Sequence, residues 1–240
     1  MTSDLREIRA LTFDVFGTVV DWRTSVIAQC AEHPKLRHLP IDWPAFVDDW
    51  RYDGYMRGSL MVRRGELPAM TADQLHLRKL DQLIAQHGIA LSEAETDELN
   101  RAWHRLEPWP DSVLGLTRLK AKFVVSTLSN GNVSLLVDMA KHAGLPWDCI
   151  LAADITGAFK PEPQCYQRGA EILGLRTDQV LMVAAHKADL LAAAKTGMRT
   201  AFIPRPLEAG PDRKVDLTPD PSFDLVAPDF RALADALSCP

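Results

Sequence analysis

The sequence has no long apolar run, no excess of basic residues and few cysteines, and each absence removes a class of function. A membrane-crossing helix needs about 20 consecutive apolar residues, so no membrane partner is expected. The 27 Lys and Arg are outnumbered by 32 Asp and Glu, for a formal net charge of −5. Without a basic stripe to neutralise phosphates, no nucleic-acid partner is expected either. Cys30, Cys149, Cys165 and Cys239 have neither metal-ligand nor disulfide-framework spacing. The polar start MTSDLREIRA lacks the features of a secretory signal. The expectation is a cytoplasmic protein with reduced thiols. No internal repeat is visible. What remains is 240 residues, 47% hydrophobic and 25% charged, enough for one large domain or a domain with a smaller companion.

Two regimes follow one another. Ile8–Phe13, Phe123–Leu128, Cys149–Ala153, Val180–Ala184, Thr200–Ile203 and Asp224–Ala227 are short apolar runs. Helical patterns closed by Gly144, Gly174 and Gly197 separate them. Unalternating runs between helices predict a doubly wound parallel sheet of the α/β class. Residues 22–107 instead show a period near 3.6 and no convincing strand. Trp43, Phe46, Val47 and Trp50 share a face behind an Asp42 cap. Leu80, Leu83, Ile84 and His87 form a stripe stopped by Gly88, and Ser92 with Glu95 makes a capping-box pattern. The prediction is a core at 1–20 and 108–240 with an inserted helical cap at 21–107. Segment 204–222, rich in Pro, Asp and Arg, reads as a long surface loop.

In open parallel sheets, reactive groups collect at the carboxyl ends of the strands. Four segments place polar residues there: Asp14–Thr18, Ser129–Gly131, Lys160–Pro161 and His186–Asp189. Each alone is weak, since an Asp after a strand is commonly a turn or cap residue. The ordered set is specific, and it resembles the haloacid dehalogenase superfamily. The resemblance implies a Rossmann-like core and a cap inserted soon after a nucleophilic Asp.

That superfamily contains phosphatases and dehalogenases. The phosphatases carry Asp-x-Asp, whose second Asp protonates the leaving alkoxide; here that position is Phe16. Their Mg²⁺ site uses a Gly-Asp-x-x-x-Asp segment; here it reads Ala184-Ala185-His186-Lys187-Ala188-Asp189. With Asp14, Asp189 and Lys160 together, a metal-free cluster neutralised by the lysine is expected, with no cofactor. The pattern FDVFGT, with Ser129-Asn130-Gly131 and Tyr166 six residues after Lys160, resembles the L-2-haloacid dehalogenase branch. One departure stands out. Better-known members carry Ser-Ser-Asn before the last acid, where this chain has Ala184-Ala185-His186.

The resemblance implies two steps: Asp14 displaces halide to form an ester, and water hydrolyses it. The substrate would be a small halogenated carboxylic acid and the product a 2-hydroxy acid. Lys160 would keep Asp14 ionised and Thr18 would hold its carboxylate. Ser129 would bind the substrate carboxylate, while Asn130 and Arg51 would stabilise the halide. Tyr166 matches a substrate-contacting position, and Asp189 would orient Lys160 or the water, or cap the helix that follows. His186 would activate water or stand in for the Asn. Phe16, Trp50 and Trp103 are candidates for the halogen wall, with cap packing favoured for the two tryptophans. A Mg²⁺-dependent phosphatase and a non-catalytic acid-binding member are the alternatives. Monomer and homodimer both stay open.

Overall fold

The computed structural model describes residues 5–240, so the first four residues of the polar start lie outside the described residues. Six parallel strands form one sheet: β1 (Ala10–Phe13), β4 (Val124–Ser129), β5 (Cys149–Ala152), β6 (Val180–Ala184), β7 (Arg199–Phe202) and β8 (Leu225–Val226). Their order is β5-β4-β1-β6-β7-β8. The chain winds outward from β1 to one side, then returns and continues on the other, so the topological switch lies beside β1. The doubly wound expectation holds, with strand ends within two residues of those predicted.

Side-chain alternation divides the core between the two faces. Leu181 and Val183 of β6 join Leu11 and Phe13 in one cluster, while Val180, Met182 and Ala184 face a second with Leu128, Leu151 and Phe202. The covering helices are α6 (Ser112–Lys120), α7 (Val133–Ala143), α8 (Ala153–Thr156), α9 (Pro163–Ile172), α10 (Lys187–Lys195) and α11 (Phe230–Ala236). Gly144 ends α7 with φ 65°, a conformation that a side chain would strain.

Between β1 and β4 the chain makes a separate helical layer: α1 (Trp22–Glu32), α2 (Trp43–Asp49), α3 (Arg57–Arg63), α4 (Ala72–His87) and α5 (Glu93–Asn100). Asp42 caps α2 by accepting from the Ala45 N–H, and Ser92 and Glu95 form a capping box at α5. Two features escaped the sequence. A π-helical turn, Trp50–Met56, joins α2 to α3. A two-residue antiparallel ribbon pairs β2 (Val20–Asp21) with β3 (Glu107–Pro108), where the chain leaves the sheet layer and where it returns. The larger apolar cluster continues from the sheet face into this layer through Trp22, Trp50 and Trp103. Among the described residues, no helix is long and apolar enough to cross a membrane.

Candidate active site

The register of the sheet assembles the site. Phe13, the last residue of β1, pairs with Thr127 and Val183. Asp14 therefore emerges beside Ser129 at the end of β4 and His186 just past β6. These residues line a cleft of about 520 Å³ with Phe16, Arg51 and Lys160.

Asp14 is 8% exposed and fully engaged. Lys160 Nζ donates to its Oδ1 at 2.9 Å. Thr18 Oγ1 (2.6 Å) and His186 Nδ1 (2.9 Å) both meet its Oδ2. Burial alone would push its pKa up, but Lys160 and His186 outweigh it and hold the carboxyl well below the ordinary range. Lys160 also reaches Asp189 Oδ2 at 2.5 Å. Burial opposes its charge, yet the two carboxylates raise its pKa above the usual lysine value. Asp189 moves the other way: burial and the charge of Asp14 raise it despite Lys160. Lys160 thus sits as a fixed cation between two carboxylates. Their oxygens are spent on Lys160, Thr18, His186 and Tyr166, so the cluster does not present the open oxygen set a hard divalent ion needs.

His186 lies between two acids. Its Nε2 is 2.9 Å from Glu208 Oε1, opposite the Asp14 contact. Burial disfavours its charge, but the hydrogen bonds and charges of Asp14 and Glu208 push its pKa up to about 10. The resting ring is a cation with both nitrogens engaged, so it is no free base in this state.

Glu208 comes from the segment read as a surface loop; Ala209, Lys214 and Val215 of that loop also line the cleft. Its carboxylate accepts from Trp22 Nε1 at 3.3 Å as well. Gly17, with φ 85°, makes room for it, since a Cβ there would collide with the Glu208 carboxylate. At the base of the loop, buried Arg205 grips Asp111 at 2.7 and 2.9 Å and donates to the Thr18 carbonyl at 2.8 Å. No motif or period announces Glu208; only its reach across 22 residues of chain to His186 reveals it.

Arg51 stands in the opposite wall, on the π turn. It is 8% exposed, yet its Nη1 has no hydrogen-bond partner, and among the described residues it makes no ion pair. Aromatic faces surround it instead: Tyr55 at 4.7 Å, Phe16 at 5.0 Å and Trp22 at 5.4 Å from the guanidinium carbon. A buried guanidinium with no acidic partner at the edge of a cleft is stabilised by a neighbouring anion.

Three sequence assignments change. The Asn130 carboxamide lines the cleft but is engaged with the Lys160 backbone, donating to its carbonyl (3.1 Å) and accepting from its N–H (2.6 Å). It holds the Lys160 backbone, and one of its two Nδ2 hydrogens is left over. Tyr166 is fully buried outside the cleft lining, and its hydroxyl donates to Asp189 Oδ1 at 2.6 Å. Asp189 lies inside the first turn of α10, whose cap position is His186. Trp50 and Trp103 are buried within the helical layer, the packing favoured for them from the sequence, and the cleft aromatics are Phe16, Trp22, Tyr52 and Tyr55. Ser129 Oγ accepts from the Gly131 N–H at 3.1 Å, which leaves its own hydrogen free to donate.

A family model described as haloacid dehalogenase-like hydrolase matches residues 8–197. The sequence is 28% identical over 211 residues to (S)-2-haloacid dehalogenase 1 of Pseudomonas sp. (strain CBS-3), covering 82% of this chain and 85% of that protein. Among solved structures, an L-2-haloacid dehalogenase is 43% identical with a TM-score of 0.91, covering 96% of this chain and 99% of that one. A defluorinating L-2-haloacid dehalogenase is 47% identical with a TM-score of 0.92, covering 97% and 96%.

Proposed function

Because the chain belongs to the haloacid dehalogenase-like hydrolase family, we propose that it hydrolyses the carbon–halogen bond of short L-2-haloacids through an ester on Asp14. One observation carries the choice of leaving group. The residue two places after Asp14 is Phe16, packed 5.0 Å from the unpaired Arg51 guanidinium. That wall offers a cation for a departing anion and no acid for a departing alkoxide, which suits halide and not a phosphate ester.

The substrate carboxylate docks on Ser129 and the backbone amides after Asp14, and its halogen points to Arg51. Asp14, kept ionised by Lys160 and aimed by Thr18, attacks C2 from the side opposite the halogen. The C–X electron pair leaves with the halide, and configuration inverts. Esterification removes the charge of Asp14, so His186 loses one of the two acids that hold its proton. The proton departs to solvent with the halide. The freed Nδ1, on the Asp14 side of the ring, takes a proton from the water that attacks Cγ. As the tetrahedral centre collapses, the product oxygen takes that proton from His186. The Asp14 carboxyl then returns its own proton to the ring. One halide and one proton leave per turnover. Tyr166, Asn130 and Asp189 position Lys160 throughout, and residues 21–107 act as a cap that excludes bulk water.

The test is halide release from the two enantiomers of 2-chloropropionate and from chloro- and fluoroacetate, with chelator and without metal. Halide from the L-enantiomer and from haloacetates, unaffected by chelator, is expected. Mg²⁺-dependent hydrolysis of phosphate monoesters without halide release would overturn the reading.

A further inference from the structure

Outside the reacting cluster, the buried ring of His104 has both nitrogens on carboxylates. Nδ1 is 2.9 Å from Asp138 Oδ2 and Nε2 is 3.0 Å from Asp73 Oδ1. Asp138 belongs to α7 of the sheet layer, Asp73 to the first turn of α4 in the helical layer. Asp73 is also tied to Asn132, the residue just before α7. Asn132 Nδ2 donates to Asp73 Oδ2 at 2.9 Å, and the Asp73 N–H donates to Asn132 Oδ1 at 3.2 Å. The other groups near the ring are Arg101, 3.7 Å from Asp138, Asp97 on the same groove, and the neutral His76. A neutral imidazole has one N–H and would turn a lone pair on one of the two acids; only the cation satisfies both. Burial disfavours that cation, but hydrogen bonds to Asp73 and Asp138 raise its pKa above the ordinary histidine value.

Both ends of this clip lead to the reacting groups. On one side, Asn132 follows Ser129 by three residues. On the other, α4 packs along the π turn that carries Arg51. Trp50 Nε1 donates to the His76 carbonyl at 2.8 Å, and a Cβ on Gly54 would press the Lys79 side chain at 2.6 Å.

We propose that His104 is a positioning residue: held between Asp73 and Asp138, it clamps α4 onto α7 and so fixes the height of Arg51 above Asp14. The inference rests on the dehalogenase reading given above. Steady-state halide release from chloroacetate, from about pH 5 to about pH 10, compares the wild type with His104→Gln and Asp138→Asn. His104→Gln is expected to raise KM about tenfold, the loss of roughly one charge-assisted hydrogen bond from the arrangement that binds substrate, with kcat within about twofold. The wild type is expected to show an alkaline rise in KM, and His104→Gln to remove it. Asp138→Asn keeps the ring and moves that rise to lower pH. A contact that is merely structural would lower Tm and leave the KM profile in its wild-type shape. A wild-type KM and pH profile in a folded variant overturns the proposal, and should His104→Gln fail to fold, Asp138→Asn decides alone. Absence of halide release from the wild type would refute the dehalogenase reading and this inference with it.

Discussion

Replacing Glu208 by Gln perturbs the site at one atom. The side chain keeps its volume, its space over Gly17 and its contact with Trp22, but it loses the charge facing His186 Nε2 at 2.9 Å. A hydrogen bond to a charged group contributes about 1.5–3 kcal/mol. The His186 side chain is 40% exposed, so solvent screening favours the lower end, roughly 1.5 kcal/mol. At about 1.36 kcal/mol per pH unit, His186 then loses its proton about one pH unit earlier. In the wild type that loss centres near 10. The ring's own titration reports this cation in the free enzyme. The assay is the pH titration of the His186 ring by NMR in the wild type and in Glu208→Gln. A midpoint lower by about one pH unit in Glu208→Gln is expected. A ring that still titrates near 10 in the variant would refute the coupling of Glu208 to the site.

Arg51→Lys should lower kcat/KM by about 10²-fold, because a point ammonium cannot stack among Tyr55, Phe16 and Trp22 while facing an anion; steady-state halide release measures it. Stability should carry the mark of His186. Its folded pKa is raised, so its contribution is fully present below the unfolded value near 6.5 and is lost as pH rises through about 10. Calorimetry should show Tm falling across that window in the wild type and falling less in His186→Gln. Asp14→Asn should retain the far-ultraviolet circular dichroism of the wild type and release no halide, since the amide matches the carboxylate in shape but is no nucleophile.

The strands were legible because each is a short apolar run, and the polar residues at or just past the ends of β1, β4 and β6 located Asp14, Ser129 and His186. Period reading found α2 and α4 but passed over the π turn, which adds one residue to a helical turn without changing residue character. It also passed over the β2–β3 ribbon, too short to show alternation. Glu208 was illegible for a different reason. Its loop has no period, and its approach to His186 depends on the Arg205–Asp111 pair and on the missing Cβ of Gly17. Asn130 and Tyr166 were placed near the site by position, but sequence does not reveal which neighbour consumes a donor. In the folded chain the Asn130 amide is bound to the Lys160 backbone and the Tyr166 hydroxyl to Asp189.

The central claim is that the product oxygen comes from Asp14 and the water oxygen enters the enzyme. A single turnover with enzyme in excess, run in ¹⁸O-water, separates this from direct attack by water on the substrate. Mass spectrometry of the 2-hydroxy acid and of the peptide containing Asp14 should find the first product unlabelled and the label in the Asp14 carboxylate. Labelled product from the first turnover, with unlabelled Asp14, would contradict the ester mechanism.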